Sequence, residues 1–215
     1  MLDPNYFIDL FLHLDTHLSA ITSEYGLLTY LLLFVIVFCE TGLVVTPFLP
    51  GDSLIFATGA LAASGSFNLF TMLVVLCLAA VAGDTVNYQV GHLLRDRVAS
   101  RQNIRFIKQE HLDRTHEFFE KYGAKTIIIA RFVPIIRTFA PFVAGIGTMP
   151  YSTFISYNVV GGVAWVMLFL FGGYFFGNLP VVKDNFSFVI IGVIVVSLLP
   201  GIIAYIQSKR DPESA

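Results

Sequence analysis

The sequence predicts an all-α polytopic membrane protein built as an inverted repeat. It is expected to hold two opposed re-entrant helical hairpins, an N-terminal amphipathic helix and about four full transmembrane helices in one membrane domain. Three observations carry that expectation. The 215-residue chain is 56% apolar and 13% charged with a positive mean hydropathy, and several apolar stretches exceed the length that crosses a hydrocarbon core of about 30 Å. Two of these stretches, 46–66 and 124–149, are broken by proline and glycine. The basic residues are segregated: none occurs before Arg95, and eight of the thirteen fall between Arg95 and Lys125.

Taken in order, residues 4–20 set Phe7, Ile8, Phe11, Leu12 and Leu18 against Asp9, His13, Thr16 and His17, the pattern of a helix lying in the membrane interface. Asp3 and Asp9 without a basic residue argue against a cleavable signal peptide. Leu27 to Val45 is long enough to span. Residues 46–66 are interrupted by Pro47, Pro50 and Gly51 and are expected to reverse rather than cross. Leu69 to Leu94 spans again. Residues 95–125 form a charged cytoplasmic connection in which Glu110 to Lys121 reads as a surface helix ending before Gly123. The second broken segment, 124–149, precedes spans at Phe154–Gly177 and Phe186–Gln207, and Gly173-x-x-x-Gly177 offers close helix packing.

Parity assigns the broken segments. The 95–125 connection and the Lys209-Arg210 tail are both basic, so both belong in the cytoplasm. Two spans between them require 124–149 to enter and leave on one side. By the same count, a 46–66 hairpin opening from the periplasm leaves the N-terminus cytoplasmic. The hairpins then enter from opposite faces and their broken elements meet near the midplane. The repeated Phe-x-Pro, Phe48-x-Pro50 and Phe132-x-Pro134, supports the same repeat.

Charge inside the membrane marks the site. From Thr126 to Met149 the only charged residues are Arg131 and Arg137, on either side of Pro134. An arginine at membrane depth is costly and usually faces a cavity, a partner or a ligand. On an unbroken helix the two would point about 120° apart, but Pro134 removes a donor and disfavours helical geometry at Val133. The break could turn both guanidiniums toward one centre, where two planar forks suit a phosphate; alternatively they anchor a segment end near the cytoplasm. The first broken segment carries acids instead, Glu40 before it and Asp52 after it. Asp52 could also cap a helix starting at Ser53, and Glu40 could snorkel or bridge helices. Asp84, Asn87, Tyr88 and Gly91 fall at i, i+3, i+4 and i+7, one helical stripe whose polar groups must face the protein interior, either for function or as interhelical glue.

No catalytic group, cofactor or metal is expected. Cys39 and Cys77 sit in apolar segments without a nearby histidine at ligand spacing and read as buried thiols. His13 and His17 are spaced i,i+4 but lack a third ligand. All five histidines lie outside the expected membrane core, and no Ser-His or metal constellation accompanies the arginines. Nothing points to nucleic acid.

Four motifs together resemble one family. Phe38-Cys39-Glu40-Thr41-Gly42, Phe48-Leu49-Pro50-Gly51-Asp52-Ser53, Gly83-Asp84-x-x-x-Tyr88-x-x-Gly91 and Arg131-Phe132-Val133-Pro134-Ile135-Ile136-Arg137-Thr138-Phe139-Ala140-Pro141 resemble the bacterial DedA membrane proteins, which are related to eukaryotic VTT-domain scramblases. The resemblance runs from about residue 5 to 210. It implies opposed re-entrant hairpins in the bacterial inner membrane and lipid translocation. Some members are linked to recycling undecaprenyl phosphate, others to proton-dependent membrane homeostasis and drug resistance. The family's functional acids and arginines correspond to Glu40, Asp52, Arg131 and Arg137. His92 stands where many members have Arg, and Arg95 could compensate.

Three functions are therefore weighed: a flippase or scramblase for an anionic lipid, a proton- or sodium-coupled exporter of small solutes, and a membrane lipid phosphatase, in that order. The partners expected are an anionic lipid (undecaprenyl phosphate or a phospholipid), the bilayer and protons; a homo-oligomer is left open. Arg131 and Arg137 would bind the phosphate, with Glu40, Asp52 and Asp84 in proton coupling. A phosphate entering between the arginines would leave an acid unpaired in low dielectric, and that acid would take a proton, so the two bindings reinforce each other. Glu40 or Asp52 is the expected carrier. Asp84 is placed behind them because Asn87 and Tyr88 offer it local partners.

Overall fold

The computed structural model describes residues 26–43, 51–99 and 109–184. Their regular elements are all helical: α1 Leu27–Gly42, α2 Gly51–Ala63, α3 Leu69–Ala99, α4 Gln109–Tyr122, a 3-10 turn Gly123–Lys125, α5 Thr126–Ala130, α6 Pro134–Ile146, α7 Tyr151–Gly177 and α8 Pro180–Asp184. The apolar parts of α3 (Leu69–Arg95) and α7 (Tyr151–Gly177), 27 residues each, are long enough to cross a bilayer at 1.5 Å per residue. Helices α1, α2 and α6 are apolar but shorter. The expected interfacial helix at 4–20, with His13 and His17, and the span at 186–207 lie outside the described residues, as do Pro47, Phe48 and Pro50. Large apolar side chains are exposed along α1 (Leu27, Leu28, Leu31, Leu32, Val35), α3 (Phe70, Val74, Leu78) and α7 (Val160, Leu168, Phe175). So much exposed apolar surface suits a lipid environment.

The chain forms two compact units, and the described residues of Met1–Leu32, Pro50–Leu73 and Leu168–Ala215 make the first. Here α2 ends in a paired-bond turn: the Ser66 N–H donates to the Leu61 carbonyl and the Gly65 N–H to that of Ala62, both at 3.1 Å. That 6→1 and 5→2 pattern requires a left-handed residue, supplied by Gly65 at φ +86°. Asn68 then caps α3, its Oδ1 accepting from the Thr71 N–H at 2.9 Å, while its own N–H donates to the Tyr30 hydroxyl at 3.0 Å. The expected Gly173-x-x-x-Gly177 packing is present. A Cβ at Gly173 would lie 1.9 Å from the Phe56 carbonyl oxygen, and one at Gly177 would lie 2.7 Å from the Ala60 Cα, so α7 approaches α2 backbone to backbone.

The second unit comprises the described residues of Leu33–Leu49 and Val74–Met167. Its core gathers Tyr88 from α3, Ile127 and Ala130 from α5, Ile136, Ala140 and Ala144 from α6, and Phe154 from α7. The charged helix α4 forms where the sequence placed it, ends before Gly123 at φ +56°, and rests Phe118 and Phe119 on this core. Thr126, fully buried, donates its hydroxyl to the Phe118 carbonyl at 3.0 Å, which ties the start of α5 to α4. Cys39 and Cys77 are free and only half-buried, less enclosed than expected because each sits on a helix with an exposed lipid-type face.

Candidate functional site: paired charges at a helix break

The break between α5 and α6 is built as the sequence requires. Val133 is extended at φ −118°, ψ 106°, and Pro134 opens α6, in line with the restriction on residues preceding proline. Ahead of it the chain tightens into i→i−3 bonds, from Arg131 to Ile128, Phe132 to Ile129 and Val133 to Ala130. The Arg137 N–H, at 2.8 Å from the Val133 carbonyl, starts the new helix. Freed from a common helical phase, the two arginines meet. The guanidinium carbons of Arg131 and Arg137 lie 5.9 and 4.2 Å from the centre of the same Trp165 ring.

Each arginine has its own acid. Arg131 is 3% exposed, and its Nη2 donates to Asp84 Oδ2 and Asn158 Oδ1. Asn158 is oriented for this because its Nδ2 donates to the Val81 carbonyl at 3.1 Å. Gly161 and Gly162 leave the space: a Cβ on either would come within 3.3 Å of the Arg131 side chain. The Nε and Nη1 of Arg131 are buried and hydrogen-bond to nothing among the described residues. Arg137 pairs with Glu40, Nη2 to Oε1 at 3.1 Å, with both side chains nearly buried. Two guanidiniums and two carboxylates thus balance in one apolar setting, as buried charges must.

The polar stripe on α3 faces inward: Asp84, Asn87 and Tyr88 are all at most 5% exposed. Its partners differ from those expected. Asn87 does not serve Asp84; its Nδ2 donates to the carbonyls of Thr41 at 3.2 Å and Thr138 at 2.9 Å, joining α1, α3 and α6. The Tyr88 hydroxyl donates to the Met149 carbonyl at 2.7 Å, and its ring stacks on Phe154 at 4.4 Å. Asp84 is therefore a member of the arginine cluster, not a locally satisfied bystander. Asn87 lies about 60° round α3 and about 4.5 Å further along it than Asp84, and there it reaches the carbonyls of α1 and α6 instead.

Glu40, Asp84, Arg131 and Arg137 come together in the second unit, beside the break made by Pro134. Asp52 and Gly51 belong to the first unit. There α2 begins at Gly51, so Asp52 lies within its first turn instead of capping a helix from Ser53; an acid there complements the helix dipole. The sequence reasoning missed Trp165 and Asn158. A signal was available: Asn158, Gly161, Gly162 and Trp165 repeat the i, i+3, i+4, i+7 spacing of the α3 stripe, and Trp165 is the only tryptophan.

Comparison with known proteins agrees with this anatomy. The VTT domain model matches residues 49–175. Protein DedA of Escherichia coli K12 is 54% identical over 212 residues, covering 97% of each chain. An uncharacterized membrane protein of Mycobacterium tuberculosis is 42% identical over 185 residues, 85% of this chain and 81% of its own. The inner membrane protein YqjA of Escherichia coli K12 is 34% identical over 167 residues, 78% and 76% of the two chains. No solved structure matches. The chain is a membrane protein of the VTT-domain, or DedA, family.

Proposed function

We propose that this protein carries undecaprenyl phosphate or a related anionic lipid across the bacterial inner membrane in a step linked to proton uptake. The observation that supports this most directly is the pair of buried arginines, each matched to a carboxylate, converging on Trp165 at a helix break. A guanidinium that holds a carboxylate can exchange it for a phosphate, since both present oxygens to the same fork. The displaced carboxylate would be a lone charge in low dielectric and would take a proton. Arg137–Glu40 is the pair we assign to this exchange. Arg131 is held by two acceptors and boxed in by Gly161 and Gly162, so it serves as the fixed half of the site.

The same proposal includes the topology: 46–66 and 124–149 re-entrant from opposite faces, with the N-terminus, 95–125 and the C-terminus cytoplasmic. It also takes the protein as a transporter and not an enzyme, because the cluster offers arginines, carboxylates, an amide and an indole but no nucleophile–base pair.

The test is reconstitution into vesicles with labelled undecaprenyl phosphate and ordinary phospholipids side by side, across pH. Movement of at least one anionic lipid, abolished by Arg137→Lys, is the expected result. Movement of small cations without either lipid would instead support the solute exporter.

A further inference from the structure

A second polar site lies where the two membrane-length helices end together. A cavity of about 330 Å³ is bounded by Arg95, the last residue of the apolar part of α3, and by Tyr151, the first of α7. Tyr88, Gln89, His92 and Thr148 also line it, and among the described residues no carboxylate does. The Tyr88 and His92 rings are parallel within 3°, 6.4 Å apart. Tyr88 is itself fixed by its bond to Met149, so the imidazole leans on an anchored surface. Since α6 ends and α7 begins beside the cavity, the helix ends contribute partial charges of both signs, and the side chains decide. Arg95 is a permanent cation with a forked donor set. His92 keeps an N–H donor in either protonation state, and Gln89 adds an amide donor.

The surroundings specify what carries the anion. On the surface of α3, Gln89 is flanked at i−3 and i+4 by Val86 and Leu93, which are 41% and 78% exposed. A cationic cavity at the end of two apolar spans, bordered by an outward apolar strip, fits a phosphate bearing a hydrocarbon tail better than a free anion. We infer that this cavity binds the phosphate headgroup of an anionic lipid, with Arg95, His92 and Gln89 as donors and the acyl chain along Val86 and Leu93. This site is separate from the Arg131–Arg137 cluster and stands whether or not the bound lipid is then moved.

Binding is measured on the purified full chain in phosphatidylcholine nanodiscs, with phosphatidic acid, additional phosphatidylcholine or inorganic phosphate as the added probe. Phosphatidic acid is expected to bind at least about tenfold tighter than phosphatidylcholine, and Arg95→Gln with His92→Gln should remove most of that preference. Both side chains are exposed, so the melting temperature should hold. Thr148→Asp, which puts a like charge into the cavity, is a second variant that should abolish binding if the first pair disturbs folding. Equal affinity for the two lipids, or full binding by these variants, would overturn the inference. So would loss of binding in Arg137→Lys but not in Arg95→Gln, which would move the ligand to the buried cluster. Inorganic phosphate competing as well as phosphatidic acid would overturn the lipid assignment.

Discussion

The Arg137 guanidinium lies 4.2 Å from the centre of the Trp165 ring, on a ring it shares with Arg131 at 5.9 Å. Two cations on one indole repel each other, and the arrangement holds because Glu40 and Asp84 neutralise them separately. A desolvated cation–ring contact is worth about 2 kcal/mol, so the indole contributes to holding Arg137 beside its pairing with Glu40.

Trp165 is fully buried and is the only tryptophan in the chain, so its emission reports on the cluster alone. Arg137→Gln should shift that emission more than Arg131→Gln, the nearer cation perturbing the indole more strongly. Emission unchanged in Arg137→Gln would remove the cation–ring contact from the account.

Removing one partner of a buried pair leaves the other uncompensated. Asp84→Asn should therefore destabilise the protein by about 3–5 kcal/mol, and Asp84→Asn combined with Arg131→Gln should recover part of the loss. Thermal unfolding of the singles and the double in one detergent measures this; a double variant no more stable than the sum of the singles would show the pair to be uncoupled.

Arg131→Lys and Arg137→Lys keep the charge but lose the fork. Both are expected to reach the membrane and to translocate lipid at background levels in vesicles. Wild-type rates from both would reduce the arginines to segment anchors.

Under the proposed exchange, phosphate binding brings a proton with it, so lowering the pH should promote lipid binding and translocation. Glu40→Gln mimics the protonated acid and should flatten that pH profile while the protein still folds. A Glu40→Gln profile that tracks the wild type would place the coupling elsewhere.

Single cysteines introduced after replacing Cys39 and Cys77 test the topology. Asn68 and Asp184 should label from the periplasm and Ser152 from the cytoplasm. Periplasmic labelling at Ser152 would make 124–149 a full crossing.

Much of this architecture is local and was therefore legible in the sequence. Length and apolarity define α3 and α7, Gly123 ends α4, and Pro134 breaks the chain between the arginines because its ring disfavours helix geometry at Val133 and it has no N–H to donate. The inward turn of the Asp84 stripe follows from period alone. Partner choice was not local. Three acids and two arginines allow several pairings, and the sequence by itself could not reject Asn87 and Tyr88 as companions of Asp84. Only tertiary packing brought Asp84 to Arg131 across 47 residues, drew Asn158 and Trp165 into the cluster, and sent Asn87 to backbone carbonyls on α1 and α6. The physical reason is that helical period fixes which residues share a face, whereas the rotation and depth at which two helices meet are set by the close packing of all their side chains at once.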